Sequence, residues 1–142
     1  MDYVIRKAEA ADVPAIAALE ALCFSLPRDA GAMERALGDF TVAVSADTLL
    51  GYGDFLSVLD EGYIGNIAVS PDCRRKGIGA AILDELIRQG RGKELSFLTL
   101  EVRQSNAAAQ ELYLSRGFDV VGERKNVYER PRENALLMTY YY

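Results

Sequence analysis

The chain has 142 residues, half of them hydrophobic and 26% charged, with a formal net charge of −5 and no histidine. That length suits a single domain, residues 1–142, with one core, and the acidic balance argues against a nucleic-acid partner while suiting a basic peptide. With no histidine and only Cys23 and Cys73 as thiols, histidine-based catalysis and the usual zinc sites are excluded, no metal is expected, and acid–base chemistry falls to Glu, Asp, Tyr, Lys or Cys.

No apolar run approaches the ~20 residues of a membrane span. The N-terminus, Met1-Asp2-Tyr3-Val4-Ile5-Arg6, lacks the basic and then apolar pattern of a signal peptide. A cytoplasmic location with reduced cysteines is therefore expected, and no membrane partner.

Tyr3 to Ala8 reads as a first strand. Asp12 reads as a helix N-cap with Pro14 in the first turn, and the helix turns Ile16, Leu19 and Cys23 to the core. Ser25-Leu26-Pro27-Arg28 ends it, and Ala32 to Leu37 forms a second short helix. Phe40 to Ser45 and Leu49 to Leu59 read as strands joined at Asp47-Thr48. Tyr63 to Val69 is a further strand after an Asp60-Glu61-Gly62 turn.

Ser70 to Gly79 is a loop rich in Arg, Lys and Gly. Gly79 to Gln89 is an amphipathic helix with Ile78, Ile82 and Leu86 in one apolar row, Leu83 and Ile87 beside it, and Asp84, Glu85 and Arg88 outside. Leu95 to Arg103 is apolar on both faces for most of its length and reads as a central strand. Ser105-Asn106 caps a helix to about Ser115, which Gly117 stops. Phe118 to Glu123 and Ala135 to Tyr140 close the chain as paired strands, with a polar loop from Arg124 to Asn134 between them. The pattern is α/β, a mixed sheet of about six to seven strands with helices on both faces.

Three segments carry chemistry. In the first, Ile67-Ala68-Val69 leads into Arg74-Arg75-Lys76-Gly77-Ile78-Gly79-Ala80. Glycines that let backbone N–H groups approach an anion, three cations and a helix N-terminus together suit a pyrophosphate. A basic surface loop is the plain alternative. A dinucleotide fingerprint is a poorer match, because its third glycine would be Ile82 and seven residues separate Val69 from Gly77. The second is Glu101, a carboxylate near the end of an apolar strand, where it is either a tuned base or a plain strand-end charge, in solvent or paired with Arg103. The third is Ser105 to Phe118, whose helix sets Ala109, Leu112 and Tyr113 on one face; Tyr113 alone also suits a core aromatic.

Arg74-x-x-Gly77-x-Gly79 resembles the coenzyme A loop of the GNAT superfamily of N-acetyltransferases. Asn106-Ala107-Ala108-Ala109-x-x-Leu112-Tyr113-x-x-x-Gly117-Phe118 resembles its closing motif. Asn66-Ile67-Ala68-Val69, Leu100-Glu101-Val102-Arg103-x-Ser105-Asn106 and Arg132-Glu133-Asn134-Ala135-Leu136-Leu137-Met138 resemble the RimI-like branch, the N-terminal acetyltransferases of ribosomal proteins. The resemblance is strong from about Gly62 to Met138 and topological before that. It departs from the pattern twice where a peptide would bind: Ser25-Leu26-Pro27-Arg28 stands where the pattern has a Pro-Trp pair, in a chain without tryptophan, and Val127-Tyr128 stands for paired tyrosines.

The resemblance implies a GNAT fold and acetyl-coenzyme A as co-substrate. Glu101 is then the general base, as the residues also point to, and Tyr113 the group that protonates or orients the leaving thiolate. The coenzyme would be held by Ile67, Ala68 and Val69, by the backbone of Arg75, Lys76, Gly77, Ile78, Gly79 and Ala80 with charge from Arg74, Arg75 and Lys76, and by Asn106 and Tyr113. The implied acceptor is a protein N-terminus, that of a small-subunit ribosomal protein. A lysine side chain or small amine as acceptor, and a non-catalytic acyl-coenzyme A sensor, are the alternatives.

Overall fold

The structure, a computed structural model, describes residues 2–142. The strands are β1 (Val4–Lys7), β2 (Phe40–Ser45), β3 (Thr48–Val58), β4 (Glu61–Val69), β5 (Phe97–Arg103), β6 (Asp119–Tyr128) and β7 (Glu133–Tyr141). The helices are α1 (Val13–Cys23), α2 (Ala30–Arg35), α3 (Ile78–Gly92) and α4 (Ala107–Ser115). The seven strands form one sheet in the order β1-β2-β3-β4-β5-β7-β6. It is mixed, as expected: β4 and β5 run parallel, whereas β1–β2, β2–β3, β5–β7 and β6–β7 pair antiparallel.

The chain divides into two compact units. The first holds the chain up to Phe55 together with Asn66–Leu86; the second holds Leu56–Gly65 and Ile87–Tyr142.

In the first unit, alternation along β3 sends successive side chains to opposite faces. Tyr52 is fully buried in a core with Val13, Ile16 and Leu19 of α1, Met33 of α2 and Phe40, Val42 and Val44 of β2. Gly53, next to it, faces α3: a Cβ there would lie 2.7 Å from Ile82 and 3.2 Å from Leu86. Glycine thus lets α3 lie directly on β3, and this part of the sheet carries a helix on each face. Asp12 does precede α1, but its carboxylate makes no side-chain cap to that helix. It accepts instead from both terminal nitrogens of Arg6, at 2.7 and 3.1 Å. The Glu9 backbone N–H shares that carboxylate at 2.7 Å, so Asp12 ties β1 and the turn before α1 rather than capping the helix.

In the second unit, β5 is central, flanked by β4 and β7. It begins at Phe97 rather than Leu95, and it is buried on one face only: Leu98, Leu100 and Val102 are buried, whereas the intervening Phe97, Thr99, Glu101 and Arg103 are partly open. The reading of a strand apolar on both faces is corrected accordingly. α4 starts on an N-cap at Asn106, whose side chain accepts from the Ala109 N–H at 3.1 Å, and Gly117 follows the helix at φ +95°. Behind α4 the rings of Tyr113, Phe118, Tyr140 and Tyr142 pack in succession, with centroids 5.0 to 5.6 Å apart.

The largest correction concerns Arg124 to Asn134. β6 continues to Tyr128 and β7 begins at Glu133, so the loop is only the short connection between them. The polar alternation of Glu123-Arg124-Lys125-Asn126 belongs to an outer strand, paired on one side by β7 and open on the other. Solvated edge strands tolerate charge, so polarity there does not signal a loop. Glu61 likewise lies in β4, not in a turn.

Candidate active site

In the first unit, β4 ends at Val69, a 3-10 turn spans Pro71–Cys73, and α3 starts at Ile78. Ala68 is buried, and Ile67 and Val69 are partly so. Two residues of the loop between have left-handed backbones, Arg75 at φ +64° and Gly77 at φ +79°. A Cβ on Gly77 would meet nothing within 4 Å. The loop is therefore curled by Gly77 with its outer face open. The N–H groups of Ile78, Gly79 and Ala80 lie in the first turn of α3, where a helix offers donors without partners in the helix itself. This arrangement fits a pyrophosphate. Arg75 and Lys76 are exposed. Arg74 is turned back: its Nε donates to the Val69 carbonyl at 3.2 Å and a terminal nitrogen lies 3.5 Å from the Cys23 sulfur.

The same unit contains a polar cluster that the sequence reading did not single out. Glu20, on α1, is 1% exposed. Arg28, just beyond α1, donates to Glu20 at 2.6 Å through one terminal nitrogen and spans both oxygens of Asp54, on β3, at 3.0 Å each. The Arg28 backbone N–H also donates to Glu20 at 2.6 Å, and the guanidinium lies 5.2 Å over the Phe40 ring. Tyr52 donates its hydroxyl to Glu20 at 2.8 Å. Asn66, on β4, is held twice: its backbone N–H donates to Asp54 at 3.0 Å and its side-chain amide to Glu20 at 3.1 Å. Burial alone would push the Glu20 carboxyl up, but the hydrogen bonds from Arg28, Tyr52 and Asn66 outweigh it and hold it down at about 2. The available signal was Glu20 itself, a carboxylate on the apolar face of a helix with Ile16 and Leu19.

In the second unit, Glu101 sits on the partly open face of β5, opposite Leu137 of β7. Arg124 of β6 donates to its carboxylate at 2.5 Å; the Glu101 side chain is 33% exposed and that of Arg124 60%. Arg103 does not pair with Glu101. It bridges to Glu133 at 3.2 Å and covers the Tyr128 ring at 4.5 Å. Burial pushes the Tyr128 phenol up, and the charge of Glu101 adds to this. Tyr113 is 7% exposed; burial and then the nearby Tyr128 push its phenol up to about 12. Tyr128 is thus within electrostatic reach of both Glu101 and Tyr113. The side-chain oxygen of Asn106 is taken by the cap of α4.

Among the described residues no cluster of three or more His, Cys, Asp or Glu side chains is arranged for a metal ion, and no helix is long and apolar enough to cross a membrane.

A strand leading into a curled basic loop and a helix N-terminus has the make-up of an anion site. A sequence model of the acetyltransferase (GNAT) family matches residues 6–118, and the chain belongs to that family of acetyl-coenzyme A-dependent N-acetyltransferases. It is 33% identical to the ribosomal protein bS18-alanine N-acetyltransferase of Haemophilus influenzae, over 97% of this chain and 98% of that one. With the Escherichia coli K12 enzyme of the same name it shares 47% identity over 83 residues, 57% of this chain and 56% of its relative. The crystal structure of the Escherichia coli ribosomal-protein-S18-alanine N-acetyltransferase superposes with a TM-score of 0.90 at 32% identity, covering 99% of this chain and 94% of the other.

Proposed function

We propose that the chain transfers the acetyl group of acetyl-coenzyme A to the α-amine of a protein N-terminus, that of the small-subunit ribosomal protein bS18, in the cytoplasm, and that residues 1–142 act as one catalytic domain. Relatives of that name matching nearly end to end support the acceptor. The observation that carries the chemistry is the reachable carboxylate of Glu101 on its open strand face.

Acetyl-coenzyme A supplies an activated thioester carbonyl. The backbone of Arg75 to Ala80 holds its pyrophosphate, Arg75 and Lys76 add positive charge, and Asn106 uses its free amide nitrogen toward the pantetheine. Backbone N–H groups of Ile67 to Val69 stabilise the negative charge that grows on the carbonyl oxygen. Glu101 takes the proton of the attacking amine, directly or through water.

Tyr113, held neutral by burial, orients the departing sulfur by a hydrogen bond. Full proton transfer to a thiolate of pKa ~8.5 would be uphill by roughly three units, and such a leaving group needs little help. An α-amine of pKa about 7.7–8.0 is partly neutral at physiological pH, so one carboxylate suffices, whereas lysine at about 10.4 needs more help than a single base supplies.

The test is mass spectrometry of peptides with the bS18 N-terminal sequence that carry both a free α-amine and a lysine. Acetyl on the α-nitrogen alone is expected; acetyl on lysine nitrogens, undiminished when the α-amine is blocked, overturns the acceptor.

A further inference from the structure

We infer that Arg28 is a positioning residue for acetyl transfer: by clamping Glu20 of α1 and Asp54 of β3, it sets the backbone of β4 from Asn66 onward, where the proposed oxyanion donors begin. The inference rests on the reading of Ile67 to Val69 as the segment that faces the thioester.

Asn66 is the residue immediately before those donors, and both of its ties run to the clamped carboxylates. Its N–H goes to Asp54 and its amide to Glu20. A strand N–H received by a side chain is only as fixed as that side chain. Asp54 is fixed by the Arg28 fork, two parallel bonds of 3.0 Å, and Glu20 by the other edge of the same guanidinium, by the Arg28 N–H and by Tyr52. One planar cation therefore orients both acceptors. Lysine, a point charge on a flexible stem, has no comparable fork.

Burying two carboxylates around one arginine is a poor way to gain stability compared with an apolar core. It is a good way to fix direction, and donors displaced by ~1 Å from a developing charge cost up to ~10²-fold in rate.

The experiment compares wild type with Arg28→Lys and Asp54→Asn, both of which keep the volume of the cluster, below their melting temperatures. Two readouts are needed: amide hydrogen exchange of Asn66 to Val69 without ligand, and separate kcat and KM values for peptide and acetyl-coenzyme A. Exchange at Asn66 to Val69 is expected to accelerate while Val42 to Val44 of β2 keep their protection. Turnover is expected to fall roughly 10-fold with both KM values within ~2-fold, the mark of an interaction made only in the transition state.

Unchanged exchange at Asn66 to Val69, or lowered melting temperature with unchanged kcat, overturns the inference and leaves the cluster a structural tie. Wild type that acetylates no peptide would fail the functional reading instead, and the exchange rates would still decide whether the clamp sets the strand.

Discussion

The Glu20–Arg28–Asp54 cluster of the first unit and the Glu101–Arg124 pair of the second use the same chemistry, a guanidinium on carboxylate, in opposite surroundings. Glu20 is sealed at 1% exposure and receives five hydrogen-bond contacts from Arg28, Tyr52 and Asn66 on Oε1 and Oε2 within 3.1 Å. Glu101 is one-third exposed and pairs with the largely exposed Arg124. A saturated, buried carboxylate holds its charge and has no lone pair to offer a substrate. An open one held by an exposed cation can exchange that cation for an amine. Geometry of the pair does not tell a sealed carboxylate from a reachable one; burial and saturation do.

The most severe break in this contrast is Arg28→Met. It leaves Glu20 and Asp54 beside each other without their cation, and breaking a buried pair in this way costs about 3 kcal/mol or more. A matching loss in the denaturant midpoint should appear in urea unfolding, and a loss below ~1 kcal/mol would show that the cluster behaves like a surface pair.

Acid sharpens the same point. Glu20 is held at about 2 against the usual 4.5, so the folded state favours its ionised form. Its contribution, on the order of 3 kcal/mol, is complete above about pH 4.5 and disappears as pH falls toward 2. Stability measured from pH 6 to pH 2.5 should decline steeply in wild type and more shallowly in Glu20→Gln, whatever the starting stability of that variant. Parallel curves would contradict the assignment.

At the open pair the effect should move from stability to rate. Glu101→Gln is expected to lower turnover by roughly 10²-fold or more at pH 7 with acetyl-coenzyme A affinity and melting temperature nearly unchanged, as steady-state kinetics and calorimetry would record. Tyr113→Phe should lower turnover less, because the thiolate leaves readily. Full turnover in both variants would remove the proposed catalytic roles. A comparably small effect on stability is expected of Arg124→Gln, the other partner of the pair: an exposed ion pair contributes at most ~1 kcal/mol, and a larger shift in melting would mean that Arg124 also holds β6 in place.

Local patterns carried far in the sequence. Seven strands and four helices follow from apolar periodicity, and the cap at Asn106 and stop at Gly117 from residue types whose backbone preferences are intrinsic. Gly77 was legible for the same reason: glycine takes a positive φ at no steric cost, and the loop before α3 turns there at φ +79°. The reading failed where polarity had a tertiary cause. Arg124 to Tyr128 looked like a loop because an outer strand solvates its charges. Asp12 looked like a simple cap because Arg6 is brought to it only by folding.

The sequence by itself determined the α/β class, the family and the glycine-bearing loop before α3, because each is written in contiguous residues at fixed spacing. Tertiary structure alone decided which carboxylates are saturated and which are reachable. Arg28 meets Glu20 and Asp54 across 8 and 26 residues of chain, and Arg124 meets Glu101 across 23. Partners that far apart are chosen by strand register and helix packing, and no local spacing encodes them.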